Sequence, residues 1–555
     1  MTKRHVRILL KPTILIHPLD SRRCNMHRRI SYLASVLVLS ALPLAAQEES
    51  NAFNLTVQSE PYLEPHIPRP EQEAEAAEKL AALAEKTGGK PNILLLLVDD
   101  MGWGDPGSYG GGIAVGAPTP EMDLLAREGL RLTSTYSQPT CTPTRAAILT
   151  GRIPTRSGLT RPTLSGENPT TNPWEIEATL PGLLSDAGYR TALAGKWHLG
   201  EAEGSRPHEA GFDEWYGILS VISDMSQQLD ERLYPDMVLR PERLAALREL
   251  SEAAITKGLK GQPLEVAEEI TSIEQLAQID QKFADFSEDF IRRAAADDVP
   301  FFLEHSFARL HNDSYPAEGY AGKSPAGFPY KDAVLEVDDI IARLIGVLEE
   351  TGELENTFVF LTSDNGANED LYPDNGFQPW RGGKGTTWEG GVRVPGIAYW
   401  PGMIAPGRES DGLFDLTDFF NTSLALAGAL DSIPSERFID GIDQSSFLLA
   451  DDGQSRRDAV FMYSENNLMA IRWMEYKVHF KVMLQHAPRR NLDETTVSDV
   501  GMSPWVYNLY LDPKEQASSG HSRFEWGLPQ ALQRVQRHLA TFADYPSTDI
   551  GLGKP

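Results

Sequence analysis

Cysteine is nearly absent from this chain: two of 555 residues, Cys24 and Cys141. That scarcity excludes a disulfide-stapled scaffold, which needs cysteines in pairs. Positive charge is short as well. Lys and Arg number 51 against 79 Asp and Glu, for a formal net charge of −28. A surface of that sign argues against non-specific nucleic-acid binding, which draws on basic residues. A small anionic ligand stays open, because a few local cations can dominate a cleft. Long apolar runs are missing: the strongest candidate, residues 30–42, is too short for a membrane span. No internal repeat or long low-complexity stretch is present, so a repeat array is excluded. The length exceeds what one core usually organises, which predicts two domains.

Near the start, Met26-His27-Arg28-Arg29 precedes the apolar run Ile30 to Leu42, and small residues follow at Ala45-Ala46. Basic, apolar and small-residue segments in that order predict a secretory signal peptide over residues 1–46, with Met26 as an alternative start. The competing reading is a retained N-terminal anchor. Removal of 1–46 would take the net charge down seven units to −35 and leave Cys141 as the single cysteine. The expectation is an exported chain, periplasmic or secreted, without stable membrane association. Residues 47–90 read as an acidic linker whose part Glu71 to Lys86 forms a solvated helix outside the core.

The stretch that organises the rest is Cys141-Thr142-Pro143-Thr144-Arg145, followed by Ala146 to Gly151. Thr142 suits a helix cap, Pro143 the first helical position and Gly151 the far end. Cys141 is then placed at a helix N-terminus, where backbone N–H groups favour anions. Arg145, one turn on, adds a fixed cation. The segment reads as a reactive sulfur beside an anion hole.

Two apolar runs end in oxygen ligands. Ile93 to Val98 leads into Asp99-Asp100, and Thr357 to Leu361 leads towards Asp364-Asn365. Both read as buried parallel strands, and in α/β sheets ligands bind beyond the carboxyl ends of strands. Together the four residues would form an oxygen shell for a hard divalent cation. A further strand, Tyr189 to Ala194, delivers Gly195-Lys196-Trp197-His198. Alternation puts Lys196 and His198 on one face, a cation and a group able to move a proton near neutral pH. The strand at Pro300 to Leu303 leads past His305 to His311. Lys384 sits in the glycine-rich run Trp380 to Gly391, which lets backbone pass close to a ligand. Residues 229–296 read as a mostly helical insertion, and short strands from about residue 450 end in a helix over Pro529 to Ala543.

The Cys141 to Arg145 segment matches C-x-P-x-R, and the chain resembles the type I, formylglycine-dependent sulfatases, arylsulfatase-like. The stretch Gly188 to His198, the Gly383-Lys384-Gly385-Thr386-Thr387-Trp388-Glu389-Gly390-Gly391 element and the two carboxylate doublets extend the resemblance. It implies an α/β fold: an alkaline-phosphatase-like α/β/α sandwich with a large mixed sheet over 91–449, and a smaller C-terminal α+β domain with an antiparallel sheet over 450–555. It implies one Ca²⁺ per chain, held by Asp99, Asp100, Asp364, Asn365 and the Cys141 position. A formylglycine-generating maturation enzyme would convert Cys141 to Cα-formylglycine, whose hydrate attacks sulfur.

By the same resemblance, Arg145 positions that hydrate, and Lys196, Lys384 and His311 hold sulfuryl oxygens or assist the leaving oxygen. His311 matches the family's histidine beyond the strand at 300–303 better than the earlier His305. His198 removes a proton from the hydrate so that sulfate is expelled. The implied substrate is a small-molecule or saccharide sulfate ester. Two alternatives stay open: a phosphodiesterase or phosphonate monoester hydrolase on the same site, and a non-catalytic sulfated-glycan binding protein. Binding alone would not need the cysteine.

Overall fold

The computed structural model describes residues 57–551 apart from 168, 370–371, 484–496, 502 and 519–525. The expected signal peptide lies outside the described residues. The main sheet is built on β1 (Asn92–Val98), a run of seven buried residues. The other strands that place the site are β2 (Leu130–Tyr136), β3 (Arg190–Lys196), β4 (Glu214–Ile218), β5 (Ala254–Leu259) and β6 (Glu265–Glu269). They are followed by β7 (Phe301–Ser306), β8 (Thr357–Ser363), β9 (Arg393–Tyr399), β10 (Arg408–Ser410) and β11 (Phe414–Asp415).

These eleven strands form one mixed sheet in the order β10-β2-β9-β8-β1-β7-β3-β4-β5-β6, with β11 also on β2. The centre, β8-β1-β7-β3-β4, is parallel. β1 shows why the fold has three layers. Its residues Ile93, Leu95 and Leu97 pack with Ile148, Leu184 and Phe419 on one face. The alternate residues Leu94, Leu96 and Val98 pack with Phe290, Val337 and Ile341 on the other. A strand covered by helices on both faces must be apolar at every position, which is the pattern of Ile93 to Val98.

Beyond this sheet, β12 (Ala459–Ser464), β13 (Asn467–Trp473), β14 (Tyr476–His479), β15 (Lys481–Met483), β16 (Val497–Asp499) and β17 (Trp505–Asn508) follow. The order β12-β13-β14-β17 is an antiparallel sheet, and β15 pairs with β16. The helix Gly527–Asp544 lays Ala531 and Val535 against Phe461, Ile471 and Val478 of that sheet.

Two expectations change. The helix Pro70–Thr87 is not outside the core: Ala76 and Leu83 are buried in it, Gln72 reaches Ser446, and Lys79 donates to the Leu449 carbonyl at 2.7 Å. Alanines on one face allow that close approach, a signal the low hydrophobicity hides. Residues 229–296 are not all helical either, because β5 and β6 form a hairpin that extends the main sheet. Its outer strand is Glu-Val-Ala-Glu-Glu, exposed at most positions, so no buried alternation marks it.

Gly195 is a packing requirement next to the site. Its φ is +113°, and a Cβ there would stand 1.8 Å from the Ser306 carbonyl oxygen on β7. Gly195→Ala is expected to cost at least ~2 kcal/mol, from strain and overpacking together. Urea unfolding would read the loss. Activity should fall with it, because Lys196 is the next residue.

Candidate active site

Four neighbouring strands, in the order β8, β1, β7, β3, end at the same edge of the sheet. Val98 pairs with Ser363, so the doublets Asp99-Asp100 and Asp364-Asn365 emerge side by side. The Asp100 backbone N–H donates to Asp364 Oδ1 at 3.2 Å, and Asn365 Nδ2 donates to Asp100 Oδ1 at 2.7 Å. All four residues are buried. β3 ends in Lys196, whose Nζ lies 2.5 Å from Asp99 Oδ2. Lys384 reaches in from its loop and places Nζ 2.6 Å from Asp100 Oδ1.

Cys141 opens the helix Cys141–Thr150, which Gly151 ends in the left-handed conformation. Its Sγ stands 3.3 Å from Asn365 Oδ1 and 3.6 Å from Asp99 Oδ1. Arg145 returns from the next turn and donates to Asp364 Oδ2 through Nε at 3.1 Å and Nη2 at 2.8 Å. Its Nη1 donates to the Lys196 carbonyl at 3.1 Å and to the Ser306 hydroxyl. Three carboxylates thus face three cations in one buried cluster.

The expected cap is displaced by two residues, from Thr142 to Thr140. The helix begins at Cys141 itself, so Pro143 is its third position. Thr142 spends its hydroxyl on the His198 carbonyl at 2.7 Å. That bond ties the nucleophile helix to the His198 segment. His198 Nε2 lies 3.2 Å from the Thr163 carbonyl, and its buried Nδ1 has no partner. A carbonyl only accepts, so the proton belongs on Nε2 and the lone pair on Nδ1.

His305 stays on β7 and bonds Ser287 through Nδ1 at 2.8 Å. His311 lies beyond the strand, with its Nδ1 on the Asn312 carbonyl, close enough to bias both Asp99 and Asp100. The ten residues expected at the site therefore converge on one place. Two others were not expected there. Ser306, the last residue of β7, bridges Arg145 and the Lys196 carbonyl, and its strand-end position was the available signal. Thr163 holds His198, and nothing in its local sequence marks it.

Burial works against charge on Asp99, yet Lys196 and His311 outweigh it and hold the carboxyl below the usual range. Asp100 is lowered in the same way, with Lys384 and His311 overcoming burial. Burial, then Lys196 and Arg145, pushes His198 well below its ordinary value. Burial and then Lys384 lower His311. Burial, followed by the charge of Asp364, pushes the Cys141 thiol up.

The donor set suits a hard cation. Ligand atoms of Asp99, Asp100, Cys141 and Asp364 all lie within 4.8 Å of one another. Asp100 Oδ2 is buried without a hydrogen-bond partner, a costly state for an anion unless a positive group meets it. Carboxylate and amide oxygens are the ligands Ca²⁺ prefers.

A mixed sheet with helices on both faces presents carboxylate pairs and cations at its strand ends, the α/β/α arrangement that the resemblance implied. The chain belongs to the sulfatase family: the Sulfatase family model matches residues 91–429, and that of the C-terminal region of aryl-sulfatase matches 455–548. N-acetylgalactosamine-6-sulfatase of Canis lupus familiaris is 36% identical over 478 residues, covering 81% of this chain and 86% of that protein. Arylsulfatase A of Bos taurus is 36% identical over 469 residues, covering 80% and 86%. The crystal structure of PsFucS1 sulfatase from Pseudoalteromonas sp. matches with a TM-score of 0.87 at 56% identity, covering 90% of this chain and 100% of that one. The chain is an enzyme that hydrolyses sulfate esters.

Proposed function

We propose that the chain hydrolyses a saccharide sulfate monoester through a formylglycine made from Cys141 by a maturation enzyme. The observation that carries this reading is the position of Cys141. Its Sγ opens a helix N-terminus beside Asp99 and Asn365, with Arg145, Lys196 and Lys384 around the same carboxylates. The saccharide class follows from the name of the N-acetylgalactosamine-6-sulfatase relatives. Export follows from the expected signal peptide, and among the described residues no helix is long and apolar enough to cross a membrane. The domain boundaries we assign are 91–449 for the catalytic part and 450–555 for the smaller one.

The residues fit Ca²⁺, which would be held by Asp99, Asp100, Asp364, Asn365 and the residue at 141. A bound divalent cation supplies charge stabilisation at the ester oxygens. Arg145, fixed by Asp364, Ser306 and the Lys196 carbonyl, orients the side chain at 141. Lys196 and Lys384 carry ammonium groups that sulfuryl oxygens can engage. His198 Nδ1 takes a proton from the hydrated aldehyde: burial keeps the ring neutral, and the Thr163 carbonyl keeps Nε2 protonated. His311 Nδ1 donates to the Asn312 carbonyl, which leaves the lone pair of the neutral ring on Nε2. Nε2 can assist the leaving oxygen only once it is protonated, as the imidazolium.

His198→Ala is expected to slow turnover by ~10²–10⁴-fold, the usual contribution of a positioned proton carrier. KM should change little, because the ring does not hold the ester. Steady-state kinetics on a monosulfated monosaccharide test both points, and undiminished kcat would contradict the assignment. Parallel assays with an aryl sulfate and an aryl phosphonate test the ester class.

A further inference from the structure

The loop that carries Lys384 is gripped from behind by the C-terminal sheet, and a single buried carboxylate joins the two. Glu515 Oε2 accepts the Glu389 backbone N–H at 2.7 Å. Its Oε1 lies 2.7 Å from His479 Nε2 and 3.2 Å from Lys477 Nζ, both on β14. The Glu515 backbone carbonyl accepts from Arg381 Nη1 at 2.7 Å. Arg381 and Glu389 stand on either side of Lys384, so Glu515 holds both ends of its turn.

The grip is reinforced. Lys477 Nζ also reaches Glu389 Oε1 at 2.9 Å, and Tyr136 donates to Glu389 Oε2 at 2.7 Å. The Trp388 ring lies under the Arg381 guanidinium at 3.7 Å and against His479 at 4.5 Å between centroids. Glu389, Lys477, His479 and Glu515 are each 0% exposed.

Covering this face does not require charge, since Trp388, Val482, Tyr507 and Leu509 already form an apolar cluster there. Buried ion pairs are weak contributors to stability and are retained in some proteins for the geometry they specify. The turn needs such help: five of the ten residues from Gly382 to Gly391 are glycine, so its own backbone preferences do little to fix where Lys384 stands.

We propose that Glu515 is a positioning residue for the hydrolytic site, one that keeps Lys384 at Asp100 by tying both ends of its turn to the C-terminal sheet. The inference rests on the role given to Lys384 above. It makes the C-terminal domain a working part of the site.

The test uses full-length matured protein carrying Glu515→Gln, which keeps an acceptor for Glu389 N–H but loses the charge facing Lys477. With 4-nitrophenyl sulfate or a monosulfated monosaccharide, whichever the wild type turns over, kcat/KM is expected to fall ~10–100-fold, the usual scale for supporting residues. On a Lys384→Ala background the same change should cost less than ~2-fold, because residues acting through one another are not additive. Amide hydrogen exchange across residues 382–391 should speed up in Glu515→Gln. That arm needs no turnover, so it separates failure of the positioning from failure of the hydrolase reading. Arg381→Ala, at a partly exposed residue, repeats the cycle should Glu515→Gln not fold. Losses that add in full to that of Lys384→Ala, or unchanged exchange and kcat/KM, would overturn the proposal.

Discussion

Replacing Cys141 with alanine is expected to reduce turnover by on the order of 10⁶-fold, the scale seen when a catalytic nucleophile is removed. The fold should survive. Cys141 is buried and among the smaller side chains of the core, and alanine at the first position of the helix Cys141–Thr150 keeps its backbone bonds. The ion pairs of Arg145, Lys196 and Lys384 do not pass through sulfur. Loss of activity with a nearly unchanged melting midpoint therefore isolates chemistry from architecture. Near-normal turnover in Cys141→Ala would contradict the mechanism outright. Serine is a less clean replacement, because some maturation systems act on it.

Asp364→Ala is expected to damage both activity and stability. Asp364 receives two guanidinium N–H groups from Arg145 and the backbone N–H of Asp100. Both members of the Asp364–Arg145 pair are almost wholly buried, at 0% and 1%. Removing the anion leaves a guanidinium without its counter-charge, a change that costs ~3–5 kcal/mol in buried pairs. It also removes one of the three carboxylates proposed to hold Ca²⁺. The wild type should melt higher when Ca²⁺ is added, by mass action on the folded state. Asp364→Ala should melt lower and respond to Ca²⁺ weakly. Thermal melts with and without the ion read both effects, and an equal Ca²⁺ response in the two proteins would contradict the ligand assignment.

Much of this site was readable before any coordinates, for a reason that lies in parallel sheets. Asp99-Asp100 follows a wholly apolar run and Asp364-Asn365 closes a strand with the apolar stretch Phe358 to Leu361, and such short buried strands pair at the sheet centre. Their carboxyl ends must then open on one edge, which the pairing of Val98 with Ser363 confirms. The choice of His311 over His305 came from the sulfatase resemblance, which places a histidine a short distance beyond the strand at 300–303. A side chain still on the strand is committed to a helix layer. His305 bonds Ser287 there.

What could not be read depends on partners distant in the chain. Thr142 has the composition of a cap, yet tertiary structure gives its hydroxyl the His198 carbonyl instead. The hairpin at 254–269 hides in Glu-rich sequence whose outer strand buries little. Glu389 lies inside a quoted motif, but its role needs Lys477 and Glu515, which follow it by 88 and 126 residues. No local pattern encodes a contact of that kind.

The most direct test of the central claim is peptide mass spectrometry across Cys141 in protein from a host able to mature such cysteines. Conversion of the thiol to the aldehyde lowers the peptide mass by about 18 Da. The account predicts that shift at Cys141, together with capture of the same peptide by a hydrazide reagent. An unmodified thiol in protein that nonetheless hydrolyses sulfate esters would contradict it.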